Sequence, residues 1–190
     1  MKKKVLVIVA HPDDETIWMG GTLLKHKSDW ETIIVSLCRA SDKDRAPKFN
    51  KVCKFLNTKS YMFDLEDTKL KSIPISRIRE KIKPFLKEKY NYIFTHNQNG
   101  EYGHTRHKET YKAIINLIKK QKLKTKKLFL FSYIKNKEYC SYNPNADKFI
   151  KLKPIEFLMK KKIIKEIYGF PKDGFEEKSC GNIESFDIRK

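Results

Sequence analysis

Four of the five histidines fall in two short stretches, each beside carboxylates. The first is His11-Pro12-Asp13-Asp14-Glu15; the second runs from His96 through Asn97-Gln98-Asn99-Gly100-Glu101-Tyr102-Gly103 to His104-Thr105-Arg106-His107. Imidazole nitrogen and carboxylate oxygen suit a first-row divalent cation, zinc above all, and a catalytic zinc site keeps three protein ligands and one open position for water. One imidazole and one carboxylate from the first stretch, with one imidazole from the second, supply three ligands and leave one aspartate as a base. Spacing alone leaves open which of Asp13 and Asp14 meets the metal, since adjacent side chains rarely point the same way. A lone H-x-x-H is commonplace, and either aspartate alone could cap a helix starting near Thr16; the coincidence of the two stretches is what argues for a metal. His26, flanked by lysines, reads as a surface residue, and His96 as a group behind the ligands.

The elements that must position these residues alternate in type. Lys4–Ala10, Thr32–Cys38, Ser60–Phe63, Tyr92–His96, Lys127–Tyr133 and Lys148–Lys151 read as short buried strands rich in Val, Ile, Phe and Tyr. Between them, Phe49, Val52, Cys53 and Leu56, then Ile75, Ile78, Ile82 and Phe85, then Tyr111, Ile114, Ile115 and Ile118 fall at helical spacing. A last helix is expected from Pro154, with Ile155, Met159, Ile163 and Ile167 repeating every four residues. Alternating strand and helix predict a single domain over residues 1–190, an α/β fold with a doubly wound, mainly parallel sheet in three α/β/α layers. With the common strand order 3-2-1-4-5-6, ligands bind where strands 1 and 4 diverge, at their carboxyl ends. Both histidine-bearing stretches follow those two strands.

Composition narrows the function classes. A chain of 190 residues, 39% of them apolar, can fill one core. Its apolar runs are too short for the ~20 residues that cross a bilayer. The Lys2-Lys3-Lys4 start is followed by too short an apolar run for a secretory signal, so a cytoplasmic protein is expected. Cys38, Cys53, Cys140 and Cys180 lie far apart and are expected to be reduced, with Cys53 in the core. Neither G-x-G-x-x-G nor a P-loop occurs, which excludes dinucleotide and P-loop chemistry. The net charge of +19 comes from 42 Lys and Arg against 23 Asp and Glu, but only six of those cations are Arg. Dispersed lysine reads first as solvated surface, next as contact with an anionic membrane or substrate, and last as a nucleic-acid face. A basic nucleic-acid- or membrane-binding domain without catalysis is therefore the rival reading.

Ala10-His11-Pro12-Asp13-Asp14-Glu15, paired with Gly103-His104-Thr105-Arg106-His107, resembles the PIG-L/LmbE-like de-N-acetylase family. Many relatives have G-H-P-D-H where this chain has Thr105-Arg106. The resemblance implies His11, Asp14 and His107 as ligands of zinc, with ferrous iron the alternative, Asp13 as general base, and His104, if protonated, with the Tyr102 hydroxyl as donors to the oxyanion. It implies removal of acetate from an N-acetylglucosamine-type sugar conjugate, in glycolipid, nucleotide-linked or other form. Arg45 and Asp67 are the nearest matches for sugar-binding residues, with Arg39 and Asp64 competing. The tail from Gly169, with Phe170, Phe175 and Phe186, is expected to line the pocket mouth or pack on the domain. A homo-oligomer is compatible with the sequence.

Overall fold

The computed structural model describes residues 1–69 and 71–189. Its centre is β1 (Lys3–Val9), whose residues from Val5 onward are buried, as in a strand covered on both faces. Val5, Val7 and Val9 face one core, and Leu6 and Ile8 the other. Helix α1 (Asp14–His26) leads to β2 (Trp30–Ser36), α2 (Arg45–Phe55) to β3 (Lys59–Met62), and α3 (Ile75–Ile82) to β4 (Lys89–Thr95). A short helical turn, α4 (Gly100–Gly103), precedes α5 (Thr105–Lys119) and β5 (Lys124–Phe131). The α1 and α2 side chains pack on the first core, and those of α3 and α5 on the second. Strand β1 pairs in parallel with both β2 and β4, so the chain leaves β1 and β4 toward opposite faces and opens a crevice at their carboxyl ends.

The remaining elements are a hairpin of β6 (Tyr133–Lys135) and β7 (Cys140–Tyr142), β8 (Lys148–Lys151), α6 (Pro154–Lys162), α7 (Phe175–Ser179) and β9 (Ile183–Arg189). The large sheet has the order β3-β2-β1-β4-β5-β9-β8. The expected order therefore holds through the fifth strand and fails at the sixth. Lys148–Lys151 lies at the edge, and the tail strand β9 inserts antiparallel between it and β5. Buried Glu184 and Ser185 disguise β9 in the sequence, although Phe186 beside them is fully buried.

The expected last helix also changes character: α6 ends at Lys162 and a π-helical turn covers Ile163–Ile167. Ile155 is exposed, whereas Lys160 is buried and pairs with Glu184 at 2.8 Å. Glu184 also accepts from the Gly21 and Thr22 amides, each at 2.8 Å, just after the non-helical Met19 that interrupts α1. The four cysteines are free and buried. No helix among the described residues is long and apolar enough to cross a membrane.

Candidate metal and active site

The loop after β1 is held from several sides. The Ala10 amide donates to His96 Nε2 at 2.9 Å. Asp14 opens α1; its Oδ2 accepts from the His11 amide at 2.8 Å and its Oδ1 from the buried indole Nε1–H of Trp18 at 2.9 Å. Asp13 sits at φ 143°, a conformation that side chains rarely adopt. Two groups hold it there: Glu15, whose carboxylate accepts from the Asp13 amide at 3.1 Å, and Arg45, whose guanidinium donates to Asp13 Oδ2 at 3.1 Å. Glu15 is buried and also accepts from the Thr16 and Tyr168 hydroxyls, and burial pushes its carboxyl up to about 7.

The loop after β4 is built around a second buried carboxylate. Glu101, at φ 55°, has its amide capped by the Asn99 side chain. Its Oε2 lies 2.8 Å from His96 Nδ1 and 2.6 Å from His107 Nδ1. His107 follows in the first turn of α5.

The two loops converge on three atoms. His11 Nδ1 lies 3.3 Å from Asp14 Oδ2 and 3.1 Å from His107 Nε2, and the third edge, His107 Nε2 to Asp14 Oδ2, is 3.4 Å. A tetrahedral zinc site with arms of about 2.0–2.1 Å has ligand–ligand edges of about 3.3–3.4 Å, so this triangle can hold such an ion with one face left over. The outer nitrogens are already engaged: Glu101 accepts from His107 Nδ1–H, and Asp67 from His11 Nε2–H at 2.9 Å. Carboxylates in those places fix the tautomer that turns a lone pair toward a metal.

His96 stands behind this triangle. Burial opposes charge on its ring, while Glu101 and Asp14 raise it to about 9, yet the Ala10 amide needs a lone pair on Nε2. The ring's proton is therefore assigned to Nδ1, toward Glu101. The adjacent aspartates are driven apart. Burial and the neighbouring Asp14 raise Asp13 well above the usual carboxylate range, whereas the surrounding histidines overcome burial to hold Asp14 well below it.

His104 does not meet the condition of a protonated ring. Burial, with His107 and His11 nearby, lowers it to about 4, and its Nδ1 accepts from the Arg106 amide at 3.2 Å. The ring is neutral at pH 7 and carries its proton on Nε2, still a donor. Burial pushes the Tyr102 hydroxyl up, so it too stays protonated.

These groups line a cavity of about 240 Å³ with Arg39, Arg45, Asp67, Trp18 and Phe175. Arg45 and Asp67 thus both reach the cavity, each already in an ion pair, Arg45 with Asp13 and Asp67 with Arg39 at 3.0 Å. Arg39 lines it as well, while Asp64 lies outside, accepting from Ser41. In the tail, Phe175 packs on Tyr102, Phe170 lies under the Arg45 guanidinium at 4.2 Å, and Phe186 joins the core. His26 is partly buried, its ring stacked on Trp30 at 4.4 Å, rather than free on the surface. Arg106 points away from the cavity. It is buried, pairs with Glu109 and Glu66, and donates to the Glu66 and Lys71 carbonyls, clasping the loop that carries Asp67. Sequence reasoning missed Glu15, Trp18 and Glu101; the carboxylates adjoin the motif histidines, but only burial distinguishes them from surface acids.

The whole chain resembles known structures. It superposes on N,N'-diacetylchitobiose deacetylase from Pyrococcus horikoshii with a TM-score of 0.74 and 21% identity, covering 98% of this chain and 84% of that one. A conserved protein from Thermus thermophilus matches at a TM-score of 0.71 and 16% identity, covering 97% and 94%. An uncharacterized protein of Acanthamoeba polyphaga mimivirus is 28% identical over 185 residues, 89% of this chain and 77% of its relative. The family model described as GlcNAc-PI de-N-acetylase matches residues 6–118, and by that match, over more than half its length, the chain belongs to the PIG-L family.

Proposed function

We propose that this protein is a metal-dependent amide hydrolase that removes the acetyl group from the 2-acetamido group of an N-acetylglucosamine-type sugar conjugate. The observation that carries this reading is the buried triangle of His11 Nδ1, Asp14 Oδ2 and His107 Nε2, with edges of 3.1–3.4 Å, meeting a polar cavity through His11 and Asp14 in a PIG-L family chain. The deacetylase activity named for the Pyrococcus neighbour points the same way. These three residues would hold zinc, with ferrous iron the alternative. A cation bound there lowers the pKa of a water to ~7 and polarises an amide carbonyl.

The chain's own residues supply the rest. Asp13, with its raised proton affinity, takes a proton from the attacking water and returns it to the departing amine as the C–N bond breaks and acetate forms. His104 Nε2–H and the Tyr102 hydroxyl donate to the carbonyl oxygen as it gains charge. Arg45 holds Asp13 in its strained position, and Asp67 orients His11. Both side chains, with Arg39, remain in reach of sugar hydroxyls from the cavity wall. The lining, mostly polar with Trp18, Tyr102 and Phe175 as aromatic faces, suits one sugar ring.

The test is acetate release by metal-loaded protein from free, lipid-linked and nucleotide-linked N-acetylglucosamine. The expected result is about one bound divalent cation per chain and turnover of one conjugate class that chelation abolishes. Full activity after chelation, or no acetate from any of them, would overturn the proposal.

A further inference from the structure

A second cavity, of about 390 Å³, lies at the other end of the sheet, where β1 and β2 begin at Lys3 and Trp30 and Tyr92 of β4 lies alongside. Thr22, Lys25 and His26 of α1 form one wall, and β8 forms the other with Lys148, Phe149 and Lys151. The floor is a run of aromatic rings. Trp30 lies 5.8 Å from Tyr92 and 5.7 Å from Phe94, and Phe94 is stacked on Phe129 at 4.6 Å. Five lysines (3, 25, 127, 148 and 151) surround this floor, and no carboxylate lines the cavity. None of the five is among the lysines that form ion pairs within the described residues. The deacetylase reading uses none of these groups.

We propose that this cavity is a binding site for a nucleoside phosphate. Trp30 is already stacked on His26 and Phe94 on Phe129, so the rings left for a planar base, whichever base it is, are the half-buried Tyr92 and the exposed Phe149 of β8, above that buried floor. Lysine ammoniums supply mobile point charges for phosphate oxygens, without the fixed fork that arginine would impose. The volume falls within the range of small-ligand sites, about 300–1,000 Å³. Charge decides the class: a neutral aromatic compound would leave five like charges crowded around the rim, and a bare phosphate would leave Tyr92 and Phe149 unused.

The site can be read without any enzymatic assay. The chain has two tryptophans, and Trp18→Phe leaves Trp30, which lines this cavity, as the reporter. AMP and UMP are titrated into this variant by fluorescence and into the wild-type chain by calorimetry. Adenosine, inorganic phosphate and vesicles of phosphatidylcholine with phosphatidylserine serve as comparison probes. Saturable binding of a nucleotide is expected, with adenosine and phosphate each weaker by about tenfold or more. The double substitution Lys127→Glu and Lys151→Glu, at exposed positions, should weaken nucleotide binding by about tenfold or more while leaving acetate release unchanged. His107→Ala should leave nucleotide binding intact. The proposal is overturned by nucleotide binding that is absent, that phosphate alone matches, or that His107→Ala abolishes. Vesicle binding that nucleotide fails to displace would instead make this a lipid-facing surface.

Discussion

The chemistry of single residues turns on how neighbouring groups divide their protons. Asp13 and Asp14 are adjacent, yet one is raised and the other lowered, because Asp14 alone faces the histidine rings closely. On this reading Asp13→Ala keeps the bound metal and lowers turnover by roughly 10²–10⁴, the usual contribution of a general base. Metal content measured beside initial rate checks it, and loss of metal from the variant would refute the division of roles. His107→Ala should instead lose the metal, since a site with three protein ligands cannot spare one. His104→Ala should keep the metal and lose about 10²–10³ in kcat, the cost of one oxyanion donor. On the proposed ligand set, the pH dependence of metal binding follows from the two rings that would face the ion. Burial opposes charge on His11 and His107, but their carboxylate partners outweigh it and raise both. A proton on either facing nitrogen excludes the metal, so apparent affinity should fall as pH drops through that raised range, by about tenfold per unit for each competing proton. Titrating with a chelator across pH 5–8, which spans roughly the ordinary imidazole range, measures this.

Among the elements, two fastenings decide whether the loops stay in place. Arg106 ties the loop carrying Asp67 to α5 through Glu66 and Lys71, while Glu109, one turn on in the same helix, pairs with its guanidinium. Removing it in Arg106→Ala strands buried Glu109 and should cost about 3–5 kcal/mol. Denaturant titration reads that loss, and a weakened metal affinity in the same variant would show that the clasp also serves His11 through Asp67. The sequence showed Arg106 only as a departure from the commoner G-H-P-D-H, with no hint that its side chain turns outward from the cavity. The second fastening is at Gly21, where an added Cβ would come within 2.3 Å of the Leu152 side chain. Gly21→Ala is expected to destabilise by about 1–3 kcal/mol through overpacking, and Leu152→Ala in the same chain should recover part of it. The helix stripes on α2, α3 and α5 were readable because the buried side is apolar along α2 and α3 and, from Tyr111 onward, along α5. The segment around Lys160 was not, because its buried position is filled by a lysine whose charge Glu184 neutralises.

The whole molecule depends on its last strand. β9 fills the gap between β5 and β8, buries Phe186 against Phe94 and Phe131, and brings Glu184 to the interruption in α1. A chain truncated before Ile183 should therefore lose cooperative thermal unfolding, not merely fray at one end, and calorimetry would detect the difference. The net charge of +19 acts at the same scale. Self-repulsion of that size should make the melting temperature rise as salt screens it, within a Debye length of about 10 Å at 0.1 M.

The α/β alternation, the first five strands in order and the chemical type of the candidate metal site were legible in the sequence, because each is written in local spacing: apolar periodicity for elements, histidine beside aspartate for candidate ligands. Only folding settles which nitrogen of each ring turns toward the candidate metal position, that His104 is neutral, that Glu15 and Glu101 are buried supports, and that the tail becomes an interior strand. Those features depend on burial and on partners from distant parts of the chain, such as His11 and His107 or Glu184 and Gly21, and no local pattern of residue types encodes such a meeting.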